Sequence, residues 1–484
     1  MDGRIPGEGL LMRDFFGWFK EREANAQATW LILGKGPSFA KRREFDLGQF
    51  TTISLNHAVR EQPVDLAHVI DADVLTDCGE SIEQNAGALV MPWYPHVNNV
   101  AGGNTLGELC EEVSFLGRLR EQGRLLWYNL DSAPAVHEAS PVVHVKWNSA
   151  EAVLRLLAMA GARHVRSLGV DGGATYSEEF ADLKDKTLLK SGHPDFDGQF
   201  REMARIIAQT GIDYAPLDVE SPVRVYVGTG PEQMLAVKVL EYSIRKHASM
   251  TVEVFPLNVA GAGIEIPRPK DPENAPRTPF SFQRFLIPQL AGQRGRAIYF
   301  DSDMQLFADI RRLWTMPLEG ADLLAASNRG DSERKPQFSV MLLDCGALGW
   351  DIRDIVARLD SGELNYARLM FEMAVAKNIR ADISPDWNSL EYYEEGKTSL
   401  LHYTDMTIQP WVSRDNPLGY LWVRDLIEAV ASGFVPLDYV RDHVTRGWVR
   451  PSLLYQIEHR IEESGQLPPE ALALDDSFVP PYKR

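Results

Sequence analysis

The sequence predicts an α/β protein of two successive domains, residues 1–220 and 221–484, each a mostly parallel sheet flanked by helices. Three observations carry this expectation. Short apolar runs recur along the 484 residues, helical patterns lie between several of them, and the alternation starts afresh after a break near residues 216–222. Strands separated by helices are joined by crossovers, which makes them parallel and buries both faces of their sheet.

In the first domain, strands are expected at Thr29–Leu33, Thr51–Leu55, 66–70, 88–91, 125–128, 142–145 and 165–170, each a short apolar run. Helices are expected at Ser149–Ala160 and 200–209. Ahead of them, Leu11, Met12, Phe15, Phe16 and Phe19 share one face at helical spacing. The charges beside that face are mixed in sign rather than basic, so docking on its own domain is favoured over a membrane surface. The second domain restarts with a strand at 223–227 and a helix at 231–247, whose Pro231 suits a first turn because its missing N–H costs nothing there. Further strands are expected at 252–255, 297–300, Leu323–Ala326 and 338–343. Five prolines between residues 267 and 279 mark a loop, and the paired prolines at 468–469 and 480–481 mark a tail after a helix at 453–463.

Composition narrows the function classes. A hydrophobic fraction of 44% with 24% charged residues is a globular balance. Lys and Arg total 50 against 68 Asp and Glu, and a net charge of -18 repels phosphate backbones, so nucleic acid is not an expected partner. The three cysteines, Cys78, Cys110 and Cys345, form no disulfide framework or C-x-x-C site. No apolar run approaches the roughly 20 residues that span a bilayer, and Met1-Asp2-Gly3-Arg4 lacks the features of a signal peptide. The expectation is a cytoplasmic protein, with peripheral attachment at the inner face of the membrane as the alternative; the oligomeric state is left open.

The most informative segment is Ala297-Ile298-Tyr299-Phe300-Asp301-Ser302-Asp303, an apolar strand that ends in two carboxylates. Ligands of open α/β sheets bind outside the carboxyl ends of strands, and paired carboxylates there suit a hard divalent cation that bridges diphosphate oxygens. Downstream, the strand-like Ser399-Leu400-Leu401 delivers His402, followed by Gln409-Pro410-Trp411. One imidazole added to two carboxylates suits manganese or magnesium.

These pieces resemble glycosyltransferase family 8 and its relatives, retaining nucleotide-sugar transferases of the GT-A fold. The resemblance spans roughly residues 223–411. It includes the opening strand and helix, Phe282-Gln283-Arg284-Phe285-Leu286-Ile287-Pro288, the Asp301-Ser302-Asp303 motif, and His402 with Gln409-Pro410-Trp411. It implies that Asp301, Asp303 and His402 ligate Mn2+ or Mg2+, with Asp301 also near the donor ribose. It implies that Arg284 helps hold the donor, that Gly228 and Thr229 meet the nucleotide base, and that Asn388 precedes the final motif. The implied partners are a nucleotide-sugar donor and a surface-glycan or lipid-linked acceptor. Two segments depart from the family pattern. The final motif is one residue longer, with Asp405 in place of glycine and Gln409 in place of the lysine that meets the diphosphate. The segment Gln337-Phe338-Ser339-Val340 also differs from its family counterpart. No catalytic nucleophile is assigned. If Gln409 faces the diphosphate, restoring a lysine there is expected to strengthen diphosphate binding.

In the first domain, Gly34-Lys35-Gly36-Pro37-Ser38 follows a buried strand, where glycine lets backbone N–H groups approach a phosphate. Asn56, Asp71 with Asp73, and Asp171-Gly172-Gly173 follow later strands. Over roughly residues 29–176 this pattern resembles the sialyltransferase-like domains of bacterial surface-glycan enzymes and the related pterin diphosphokinase-like domains. It implies a second Rossmann-like domain, with Gly34, Gly36, Ser38 and Asn56 near a nucleotide. His193 is nominated as a base, with a plain loop residue as the favoured alternative. The leading expectation is thus a metal-dependent, retaining glycosyltransferase. Its alternatives are a diphosphokinase-like first domain targeted by the second, and a non-catalytic nucleotide-sugar-binding protein.

Overall fold

The computed structural model describes residues 12–133, 137–278, 280–327 and 338–484. Leu11, Pro279 and Gln337 lie outside the described residues. The chain divides into two compact units, residues 1–219 with 249–251, and residues 220–248 with 252–484.

The first unit carries β1 (Arg13–Asp14), β2 (Thr29–Leu33), β3 (Thr51–Leu55), β4 (Val64–His68), β5 (Ala86–Pro92), β6 (His96–Val97), β7 (Val100–Ala101), β8 (Leu125–Leu130), β9 (Val142–Val143), β10 (His164–Leu168) and β11 (Asp213–Pro216). Its main sheet runs β1-β8-β5-β4-β3-β2-β10-β11, with β9 beside β8. Every pairing in it is parallel. From β2 the chain winds outward through β3, β4 and β5, then returns to the other side of β2 with β10. The carboxyl ends of β2 and β10 therefore flank the topological switch point, where open sheets leave a crevice.

Trp30, Leu31, Ile32 and Leu33 are fully buried, as a central strand covered on both faces requires. Phe15, Phe16 and Phe19 are buried within this unit, and Phe19 stacks on Trp30 with ring centroids 5.7 Å apart. Where elements differ from expectation, side chains explain it. β4 begins at Val64 because Thr52 and Asp65 exchange hydrogen bonds across the entry of the strand. β9 stops at Val143 because the Asp131 carboxylate accepts from the Val145 N–H at 3.2 Å and contacts His144. β10 ends at Leu168 because Gly169 has φ +76, outside the strand region.

The second unit carries β12 (Val223–Gly228), β13 (Val252–Pro256), β14 (Arg296–Asp301), β15 (Met304–Leu306), β16 (Leu323–Ala326), β17 (Val340–Asp344), β18 (Ile379–Ile383), β19 (Ser389–Leu390) and β20 (Leu400–His402). A mixed six-stranded sheet runs β13-β12-β14-β17-β16-β18, and a three-stranded sheet runs β15-β20-β19. Pro231 opens a tight turn that leads into the helix Met234–His247. The expected tail is instead packed. Asp475 accepts from the N–H and hydroxyl of Ser452, and Ala471 is fully buried. Among the described residues no helix is long and apolar enough to cross a membrane.

Candidate metal centre

β14 delivers Asp301 at the end of a buried strand, and the Ser302 turn leads Asp303 into β15. β20 lies antiparallel to β15 with His402 opposite Met304, and the Tyr403 N–H donates to the Asp303 carbonyl at 2.8 Å. Strand pairing thus brings together residues about a hundred positions apart. One ligand atom each from Asp301, Asp303 and His402 lie within 4.8 Å of one another, the only such metal-capable group among the described residues.

Each member is held by a neighbour. Asp301 Oδ1 accepts from the Tyr299 hydroxyl at 2.6 Å and lies 3.5 Å from Arg284 Nη2. Burial pushes the Tyr299 hydroxyl well above its usual pKa, so it stays protonated and donates. Arg284, itself buried, also donates to the Phe338 carbonyl and lies over the Tyr299 ring. Asp303 Oδ2 accepts from Gln409 Nε2 at 3.0 Å, and that amide also donates to the Tyr403 carbonyl at 2.9 Å. His402 Nδ1 lies 2.9 Å from the side-chain amide oxygen Oδ1 of Asn388, which keeps the proton on Nδ1. The other nitrogen, Nε2, then points its lone pair at Asp303 Oδ1, 3.1 Å away. Two electron-rich atoms facing each other at that distance require a proton or a metal cation between them. The donor set of two carboxylates and one imidazole fits manganese or magnesium.

Gly228 sits beside Asp301 in the register of β12 and β14. A Cβ there would meet the Tyr299 hydroxyl at 2.4 Å, so glycine is what lets that hydroxyl reach Asp301. Gly228→Ala is therefore expected to displace Tyr299 and weaken Mn2+ binding about tenfold, as loss of an outer-shell partner does; an unchanged calorimetric affinity would show that Tyr299 does not orient Asp301. Thr229 is buried, its hydroxyl bonded to the Gly230 carbonyl. The structure therefore gathers Asp301, Asp303, His402, Arg284, Gln409 and Asn388 in direct contact, with Gly228 behind them and Thr229 turned inward. Tyr299 was missed, although residues 299 and 301 share one face of a strand by simple alternation.

In the first unit a cavity of about 570 Å³ opens at the switch point, and Gly34, Gly36 and Asn56 line it. The glycine loop is stapled to the loop after β10. The Gly34 N–H donates to the Leu168 carbonyl, the Gly36 N–H to that of Gly169, and the Ser38 N–H to Asp171 at 2.6 Å. A Cβ on Gly34 would meet the Gly169 carbonyl at 2.2 Å, so this glycine serves the close approach of two loops. Asp71 and Asp73 accept from the N–H groups of Asn99 and Asn98, which fixes the β6–β7 turn. His193 packs against Trp147, with ring centroids 4.3 Å apart.

No protein-family model matches the chain. Over 94 residues, 19% of this chain, it is 34% identical to "Protein CDI" of Arabidopsis thaliana, and it spans only 36% of that protein. Among solved structures it is similar to the WbbM bifunctional glycosyltransferase in its apo form, at 11% identity over 48% of this chain and 57% of that one, with a TM-score of 0.29. It is also similar to the galactosyltransferase LgtC in complex with donor and acceptor sugar analogs, at 10% identity over 42% of this chain and 95% of that one, with a TM-score of 0.29. For the glycosyltransferase GlyE of Streptococcus pneumoniae TIGR4 the identity is 16% over 42% of this chain and 60% of that one, with a TM-score of 0.31. At such scores these likenesses decide neither fold nor activity.

Proposed function

We propose that the chain is a metal-dependent glycosyltransferase of the GT-A type, moving a sugar with retention from a nucleotide-sugar donor to a hydroxyl of a surface-glycan or lipid-linked acceptor. The observation that carries this reading is the convergence of Asp301, Asp303 and His402 at the carboxyl end of β14. A divalent ion bound there supplies positive charge to the leaving diphosphate. The chain's own residues orient its ligands. Tyr299 and Arg284 fix Asp301, Gln409 fixes Asp303, and Asn388 sets the tautomer of His402. In this reading Arg284, Asp301 and Gln409 flank the donor, while Gly228 and the buried Thr229, expected to meet the nucleotide base, stand behind them. The test is a panel of nucleotide sugars, measured by thermal shift and by donor turnover, with and without manganese; a panel that neither stabilises the protein nor turns over in manganese ends the proposal.

One observation favours the non-catalytic alternative. Gln409 stands where the resemblance places a lysine, and its amide is engaged by Asp303 and Tyr403. Because it faces a metal ligand, the expectation for Gln409→Lys changes sign. An ammonium at that place pairs with Asp303 and competes with the cation, so Mn2+ affinity is expected to fall several-fold. Calorimetry with Mn2+ alone decides this; a gain in affinity would mean that position 409 turns away from Asp303. Donor stabilisation without turnover would establish the binding-protein reading.

A further inference from the structure

The cavity of the first unit has polar demands that its own walls do not meet. Its volume of about 570 Å³ falls in the range of small-molecule sites. Three lysines, Lys35, Lys186 and Lys190, line it in a chain whose net charge is -18. Among the described residues none of the three forms an ion pair with a carboxylate, and the three carboxylates that also line the cavity are engaged elsewhere, Asp71 and Asp73 by the N–H groups of Asn99 and Asn98, and Asp171 by the N–H and hydroxyl of Ser38. Lys35 projects from the loop after β2 at the switch point. Its Nζ donates to Thr187 Oγ1 at 3.3 Å and lies 4.4 Å from the centre of the Tyr176 ring, contacts that leave its charge uncompensated.

Three other cavity-lining side chains hold buried polar atoms with no hydrogen bond among the described residues, Oδ1 of Asn56, Nε1 of Trp147 and the ring nitrogens of His57, whose Nε2 lies 3.5 Å from Asp77. Unpartnered buried polar atoms are rare and each costs about 1–3 kcal/mol. Gly34, Gly36 and Ser38 are occupied in holding two loops together, so the groups free to meet a ligand are side chains of the cavity wall.

We propose that this cavity binds a phosphate-bearing small molecule without a metal ion, with Lys35, Lys186 and Lys190 taking its negative charge. The chemistry differs from that of the second unit, where carboxylates need a cation before they can meet a phosphate. Here the protein supplies the positive charge itself. Burial, helped by the charge of Arg60 and opposed by Cys78 and Asp182, lowers the Lys35 ammonium to about 8. His57, also at the wall, is held neutral by burial and by Lys35, at about 4, so it does not add charge near neutral pH. A bound anion favours protonated Lys35, so affinity is expected to be full well below pH 8 and to fall as the pH rises through it.

The experiment uses the full chain in excess EDTA, titrated calorimetrically with inorganic diphosphate and with the four common nucleoside 5′-monophosphates. At least one probe is expected to saturate, to bind at least tenfold more weakly to Lys35→Met, and to bind Asp303→Ala like the parent. Tighter binding of one nucleotide than of inorganic diphosphate identifies a nucleotide as the source of the phosphate; equal binding identifies the phosphate group alone. Both results support the site. If Lys35→Met fails to fold, the double variant Lys186→Glu with Lys190→Glu, both exposed, is expected to weaken binding at least fivefold. The proposal is overturned if no probe binds, if neither variant changes the affinity, or if Asp303→Ala abolishes binding.

Discussion

Asp303→Ala is expected to lower sugar transfer by about a thousandfold or more, the scale of losing preorganised charge at a reacting phosphate, while leaving the fold in place. The carboxylate bridges the two halves of the cluster, taking His402 on one oxygen and Gln409 on the other. Its side chain is 17% exposed and stands at a strand end, so its removal opens no core cavity. Gln409 keeps its bond to the Tyr403 carbonyl in the variant. The melting temperature in EDTA should therefore stay close to that of the parent, and the Mn2+-dependent increase should vanish. Mn2+ titration separates the two effects without reference to activity. Retained transfer, or Mn2+ affinity equal to the parent's, would remove Asp303 from the metal site.

The largest effect on stability is expected from Lys246→Met. Lys246 Nζ lies 3.0 Å from Asp425 Oδ1 and also contacts Glu428. Asp425 is 2% exposed, and Gln305 Nε2 and Lys246 are its partners on the two oxygens. Removing the cation leaves a buried carboxylate uncompensated, which costs about 3 kcal/mol, the lower end for a broken buried pair because Lys246 keeps part of its chain in water. The pH dependence has a definite sign. Burial raises the Asp425 pKa above its ordinary value, and Lys246 and Gln305 oppose that shift. Folding therefore favours the protonated acid, a contribution fully present below about pH 4 and lost as pH rises through the folded-state value. The deficit of Lys246→Met should shrink toward acid pH and be greatest near neutrality. Urea unfolding of parent and variant across that range measures it; a deficit that does not vary with pH would show that Asp425 stays neutral in the folded protein.

The acidic pair and the distant histidine were legible because their chemistry is unusual for the ends of apolar strands. Asp301 and Asp303 flank a single residue, and the run before His402 is apolar enough to mark a strand. What surrounds them was harder to read. Tyr299 looks like any aromatic of a buried strand, and only the bond to Asp301 gives it a role. Gln409 was placed by its position in a motif, whereas its side-chain direction depends on packing against Tyr403. The strands β15 and β19 have three and two residues, too few for a periodicity, and exist because β20 lies between them. The helix Asp73–Asn85 escaped notice because only Leu75, Cys78, Gly79 and Ile82 of its thirteen residues are buried. In the first unit the glycine loop was visible as a loop. That Gly34 makes room for the Gly169 carbonyl depends on a partner far along the chain.

The position of β10 beside β2 constrains the order in which the first unit can assemble. β2 ends at residue 33 and β10 begins at residue 164, so the two strands meet only after most of the unit has been synthesised. Until then β2 has β3 on one side, and on the other it presents an unpaired row of N–H and C=O groups along Trp30-Leu31-Ile32-Leu33. Such an edge, apolar and without a gatekeeping charge, is a template for pairing between chains. Loop closure over that distance also makes the step slow relative to local folding. Nascent or truncated chains that stop short of residue 164 should consequently self-associate through β2, and chains that extend past Leu168 should not.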